Sequence, residues 1–118
     1  MKKVLVVGIN PSAKGYNCIT RVRLDRWMEE CGVTYFSFVN CMEHLGKYEK
    51  QDIRYEMISD LASTYNYVVA LGNFVSDALS TLRIYHFKLP HPSGLNRLLN
   101  DKQYEIEKVE QLKRYMND

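Results

Sequence analysis

Residues 65–79, YNYVVALGNFVSDAL, hold a strand, a glycine and the start of a helix in one run. YNYVVALG is a continuous apolar, β-branched stretch, the pattern of a strand buried on both faces. Gly72 ends it and Asn73 is placed to cap the next helix. Phe74, Val75, Ala78, Leu79 and Leu82 then recur at helical spacing. The same order repeats on either side. Upstream, KKVLVVGI (2–9) is a strand ending in glycine, and NPSAKGYN (10–17) is a loop dense in turn formers. Leu24, Trp27, Met28 and Cys31 mark a helical face stopped by Gly32. VTYFSFVNCM (33–42) reads as a strand, EHLGKYEKQD (43–52) as a polar loop, and Ile53, Met57, Ile58, Leu61 and Ala62 as a helical face. Downstream, IYHFKL (84–89) is a short strand, PHPSG (90–94) a turn, and Ile106, Val109, Leu112 and Met116 a last helical face.

The order β-α-β-α-β-α-β-α predicts an α/β fold: three α/β/α layers around a four-stranded, mostly parallel sheet. A length of 118 residues fits one domain spanning 1–118. There are no internal repeats, linkers or low-complexity segments. With 46% hydrophobic residues the chain has material for one core, and its formal charge of +2 permits a nucleic-acid partner without demanding one. The three cysteines, Cys18, Cys31 and Cys41, are odd in number and form no CxxC, which argues against a disulfide framework, a zinc site or an iron–sulfur site. The apolar run Val4 to Val7 is too short for a signal-peptide core and no run approaches membrane-spanning length. The expectation is a cytoplasmic protein in a reducing compartment, without membrane contact.

In a parallel sheet the working loops lie beyond the C-terminal ends of the strands. Three qualify: GINPSAKGYN (8–17), NCMEH (40–44) and HPSGLNR (91–97). Gly8 is expected to let the chain turn sharply and present Asn10, with Pro11 holding it rigid. An amide there can hold a water or a ligand by donating and accepting at once; Asn10-Pro11 also reads as a plain turn start. The phosphate-loop pattern is absent, because Lys14 precedes Gly15 and no Ser or Thr follows. His91, between Pro90 and Pro92, has a restricted backbone and can aim a ring nitrogen at a fixed point. Alone it also reads as a turn histidine. Ser93 and the amides after it lie near a helix start, suited to an anion. Leu95 is either a wedge between stacked bases or ordinary packing, and Arg97 can reach a phosphate. His86 reads as structural; His44 could face the site, but solvent is the better fit.

Taken together, these residues resemble the uracil-DNA glycosylase superfamily. GINPS (8–12) looks like its first motif, as carried by the mismatch-specific branch with asparagine at that place. HPSGLNR (91–97) looks like its second motif, which in most branches begins His-Pro-Ser and continues to the intercalating leucine. VVALGNFVSDAL (68–79) resembles the strand-glycine-helix segment of the thermophilic-type branch, and SFVNC (37–41) sits where the family has a strand ending in a base-reading asparagine. The resemblance covers most of the chain, in order. The thermophilic branch's iron–sulfur cysteines are absent, the two motifs follow different branches, and 118 residues is short for the family, so peripheral elements are expected to be missing.

The resemblance implies a minimal glycosylase-like fold and hydrolysis of the N-glycosidic bond of uracil or a related modified pyrimidine in DNA, after the nucleotide is flipped from the stack. It implies Asn10 and His91 as the catalytic pair, the first positioning water and the second stabilising the leaving base. Asn40, Tyr16 and Ile9 would recognise the base, with Tyr16 favoured over Phe38 as the stacking aromatic. Ser12, Ser93, Gly94, Leu95, Asn96 and Arg97 would contact DNA. No metal or organic cofactor is expected, and a monomer suffices. With Asn10 in place of a carboxylate, the enzyme would be slower than its aspartate-bearing relatives. The alternatives are a weak or inactive module that binds DNA or a nucleotide, an enzyme for another modified base, and an α/β small-ligand binder whose motifs match by accident.

Overall fold

The computed structural model describes residues 3–11, 19–43, 47, 49–91 and 101–117. Among these residues, strands β1 (Val4–Gly8), β2 (Ser37–Asn40), β3 (Tyr67–Leu71) and β4 (Phe87–Leu89) alternate with helices α1 (Ile19–Glu30), α2 (Tyr55–Ala62), α3 (Asn73–Thr81) and α4 (Lys102–Asn117). The strands form one sheet in the order β2-β1-β3-β4, and all three pairings are parallel. The expected α/β/α architecture is therefore present. None of the described helices is long and apolar enough to cross a membrane.

The layers follow from strand periodicity. Successive side chains of a strand point to opposite faces. Val4 and Val6 of β1, with Val69 and Leu71 of β3 and Leu89 of β4, pack against Leu24, Trp27 and Met28 of α1 and Val109, Leu112 and Met116 of α4. Leu5 and Val7, with Val68 and Ala70, pack against Ile58 and Ala62 of α2 and Val75, Ala78 and Leu79 of α3. The chain steps one way from β1 to β2 and the other way thereafter. Right-handed crossovers then put α1 on one face and α2 and α3 on the other. Each buried Val or Leu contributes about 1.5–3 kcal/mol.

Polar ties fasten α4 to its neighbours. Trp27 is buried, so its indole N–H needs an acceptor. Glu105 supplies it: Nε1 donates to Oε1 at 2.8 Å, and Arg26 Nη2 donates to the same oxygen at 2.6 Å. Burial alone would raise the Glu105 carboxyl, but these two bonds and the nearby arginine charges hold it below its usual value. The Tyr115 hydroxyl grips β3 twice, donating to Val68 O and accepting from Val68 N, both at 3.2 Å.

Several local expectations need correction. Ile106 does not share the buried face of α4 and is 55% exposed. Residues advance about 100° each around a helix, and in this first turn Glu105 points at α1, which turns Ile106 outward. Asn73 does not cap α3. Gly72 holds the cap position at φ +88°, and Asn73 Oδ1 instead accepts from Lys88 Nζ at 3.0 Å. Strand β2 is shorter than the apolar run, although Cys41 N and Met42 N continue the ladder to Gly8 O and Ile9 O at 2.8 and 3.1 Å. Strand β4 begins at Phe87, after His86. That histidine is structural: Nδ1 lies 2.8 Å from Ile84 O, which only accepts, so Nδ1 carries the proton and Nε2 meets Ser76 Oγ at 2.8 Å.

Residues Arg83 and Ile84 are not in β4 because they terminate α3. Arg83 N donates to Ser80 O and Ile84 N to Leu79 O, and the paired bonds at the end of α1 are Gly32 N to Glu29 O and Val33 N to Met28 O. Both helices thus close with the same left-handed motif. Gly32 takes φ +77° without strain, whereas Arg83 is held at φ +58°. Arg83→Gly is expected to raise stability by about 0.5–1 kcal/mol, measured by urea denaturation. A loss of stability would show that the arginine side chain compensates for its backbone.

Candidate functional site

Parallel strands bring their C-terminal ends to one edge of the sheet. Across that edge stand Asn40 at the end of β2, Asn10 two residues beyond β1, Gly72 just past β3 and His91 two residues beyond β4. The expected convergence of the three loops therefore holds for the described residues.

Gly8 and Asn40 are register partners on β1 and β2. A methyl group on Gly8 would stand 2.9 Å from Asn40 Oδ1 and 2.8 Å from Phe38 Cζ, closer than real Cβ contacts come. The bare α-carbon thus makes room for the Asn40 amide to lie across the end of β1. This corrects the expected role of Gly8: it is the last residue of the strand, without positive φ, and serves by its lack of a side chain rather than by turning. Beyond it, Ile9 packs its side chain against the core on the α2 and α3 side. Its carbonyl accepts from Met42 N. Asn10 follows, half-buried.

The imidazole of His91 reaches back from β4 over the end of β3. Two strand spacings separate β4 from β1, roughly 10 Å, and this lean shortens the gap. A methyl group on Gly72 would meet His91 Cβ at 3.4 Å and Cδ2 at 3.7 Å. Gly72 thus serves twice, adopting a left-handed backbone and leaving a shelf for the ring. Its N–H donates to Leu89 O at 2.9 Å, which ties the shelf to β4. Burial pushes the His91 ring below its usual pKa, so the ring is neutral at physiological pH.

Cys41, next to Asn40, is fully buried. Burial raises its thiol to about 11, against a smaller lowering by Arg54. The other described thiol, Cys31, is raised to about 11 by burial as well. Among the described residues no three His, Cys, Asp or Glu side chains stand close enough to hold a metal ion.

Sequence reading missed Arg54. Its Nη2 donates to Asn40 O at 2.8 Å and its Nη1 to Glu43 Oε1 at 2.9 Å. Its backbone N donates to Cys41 O at 2.9 Å. No spacing signals this, because an arginine between a polar loop and a helix reads as a solvated first-turn residue. An open groove along α2, lined by Ile53, Tyr55, Met57 and Leu61, lies beside Arg54.

Asn10, Asn40 and His91 are thus brought to one edge, and Ile9 is partly buried against the core. Ser12, Tyr16, His44, Ser93, Gly94, Leu95, Asn96 and Arg97 lie outside the described residues. No protein-family model, curated protein or solved structure matches the chain.

Proposed function

We propose that the chain is a DNA glycosylase that hydrolyses the N-glycosidic bond of uracil or a related modified pyrimidine. The observation that carries this reading is one sheet edge bearing two asparagine amides and a histidine whose ring leans over Gly72 at the end of β3. An amide at Asn40 can pair with O4 and N3–H of a flipped pyrimidine together. His91 donates to O2 of the base as the bond lengthens and negative charge develops there. Asn10 orients a water on the far side of the sugar. The water oxygen bonds to C1′, the C1′–N1 bond breaks, its electron pair leaves with the base, and the water's proton passes to solvent. Tyr16 stacks on the base, Leu95 fills the gap in the duplex, and Ser12, Ser93, Gly94, Asn96 and Arg97 hold the backbone. These last roles rest on the motif resemblance alone.

An amide accepts no proton at neutral pH and offers the sugar cation no negative charge. Turnover is therefore slow, and a module that binds DNA without cutting is the reading to set against this one. The deciding experiment offers an oligonucleotide with a single uracil opposite guanine, opposite adenine, or in a single strand. Alkali-sensitive breaks at the uracil, lost in Asn10→Ala, are expected. No breaks with any substrate, together with DNA affinity that falls steeply with salt, would replace the enzyme with the binding module.

A further inference from the structure

Among the described residues strand β2 lies at an edge of the sheet, with β1 on one side only. The backbone of an edge strand lacks a neighbour on its open side. Arg54 takes that place for Asn40. Its guanidinium meets Asn40 O, its second terminal nitrogen meets Glu43, and its main chain meets Cys41. The main chain is held at Asn40 O and Cys41 O, immediately after the Asn40 α-carbon, and the Glu43 carboxylate takes the second terminal nitrogen. On the sheet side, the bare α-carbon of Gly8 bounds the amide. The buried Nε of Arg54 has no hydrogen-bond partner, so the two terminal nitrogens bear the polar contacts of the guanidinium. A guanidinium spans two acceptors in a fixed plane, which an ammonium cannot do.

We infer that Arg54 is a positioning residue that sets the plane of the Asn40 amide by holding the main chain just after it, from the side of β2 that bears no strand among the described residues. Its consequence for catalysis rests on the glycosylase reading; its consequence for Asn40 does not. A residue that positions another acts only through it. Removing the clamp is therefore expected to cost activity when Asn40 is present and nothing further when it is absent.

The test has two readouts. The first is the side-chain amide resonance of Asn40 in the free protein, assigned by its loss in Asn40→Ala. In folded Arg54→Met this resonance is expected to shift and narrow toward that of a solvent-averaged amide, with Arg54→Lys intermediate. The second is uracil release. Arg54→Met is expected to lower kcat/KM by about 10–100-fold, as a misplaced contact group does, and to add no further loss in the Asn40→Ala background. Should Arg54→Met not fold, Arg54→Lys keeps the stem and charge and carries the same measurements. An unchanged Asn40 resonance in a folded variant, or losses that multiply with Asn40→Ala, would overturn the proposal. A wild-type protein that releases no uracil defeats the glycosylase reading instead, and the amide resonance still decides the clamp.

Discussion

If the chain is the glycosylase proposed above, replacing His91 with alanine is expected to slow base release by about 10²–10³, the usual cost of losing one donor aimed at developing negative charge. The loss should fall on kcat and leave KM for DNA nearly unchanged, because the base carries that charge only as its bond breaks. The pH profile tests the same assignment. Burial holds the ring below its usual value of about 6.5. Activity should thus be level above that pH and fall as the pH drops through the lowered folded value. The charged ring is the form that the desolvated shelf on Gly72 disfavours, so protonation draws it out toward water. Stability moves the same way. In the unfolded chain the ring takes up its proton first, near 6.5, so acid below that point favours unfolding, and His91→Ala lacks this contribution. Rate measurements from pH 5 to 8 beside an NMR titration of the ring check both. A rate that climbs as the pH falls would mean that the imidazolium is the working form, and the neutral-donor role would be lost.

The fold was legible because its information is local. Continuous apolar runs of strand length, each followed by a helical face, leave few alternatives to a parallel sheet. The errors arose where a tertiary partner overrides a local pattern. Ile106 fits the helical repeat, yet the indole N–H of Trp27 needs Glu105 on that face. Asn73 is a good capping residue, but the backbone at that cap is left-handed and Gly72 occupies it. The placement of Asn40 and His91 at one edge could be read because strand ends in a parallel sheet share that edge. Arg54 could not, since its contact with Asn40 O spans fourteen residues and depends on where the start of α2 arrives beside β2. At Gly8 the pattern suggests a turn, whereas the structure uses the bare α-carbon. Its missing side chain matters, and that need shows only once Phe38 and Asn40 are seen on the same face.

Gly8→Ala is expected to test that need and to lose both stability and activity. The added methyl meets Phe38 Cζ at 2.8 Å and Asn40 Oδ1 at 2.9 Å, and the position is fully enclosed in β1. Forcing a carbon into a packed site costs about 1–3 kcal/mol, read by urea denaturation. Two side chains can yield, and they differ in consequence. Phe38 lies under the Arg21 guanidinium, 5.3 Å from its ring centroid, and its movement costs packing. The Asn40 amide has more freedom on the solvent side, and on the glycosylase reading its movement costs base recognition, raising KM and lowering kcat/KM together. Adding Phe38→Leu separates the two, because leucine has no atom at the Cζ position. The double variant is expected to regain part of the stability, while base release stays low because the clash with Oδ1 persists. Recovery of both would place the whole effect on the phenyl ring. A Gly8→Ala protein as stable and as active as wild type would mean that the Asn40 amide does not need the end of β1, and the base-reading role would then have to move to another group.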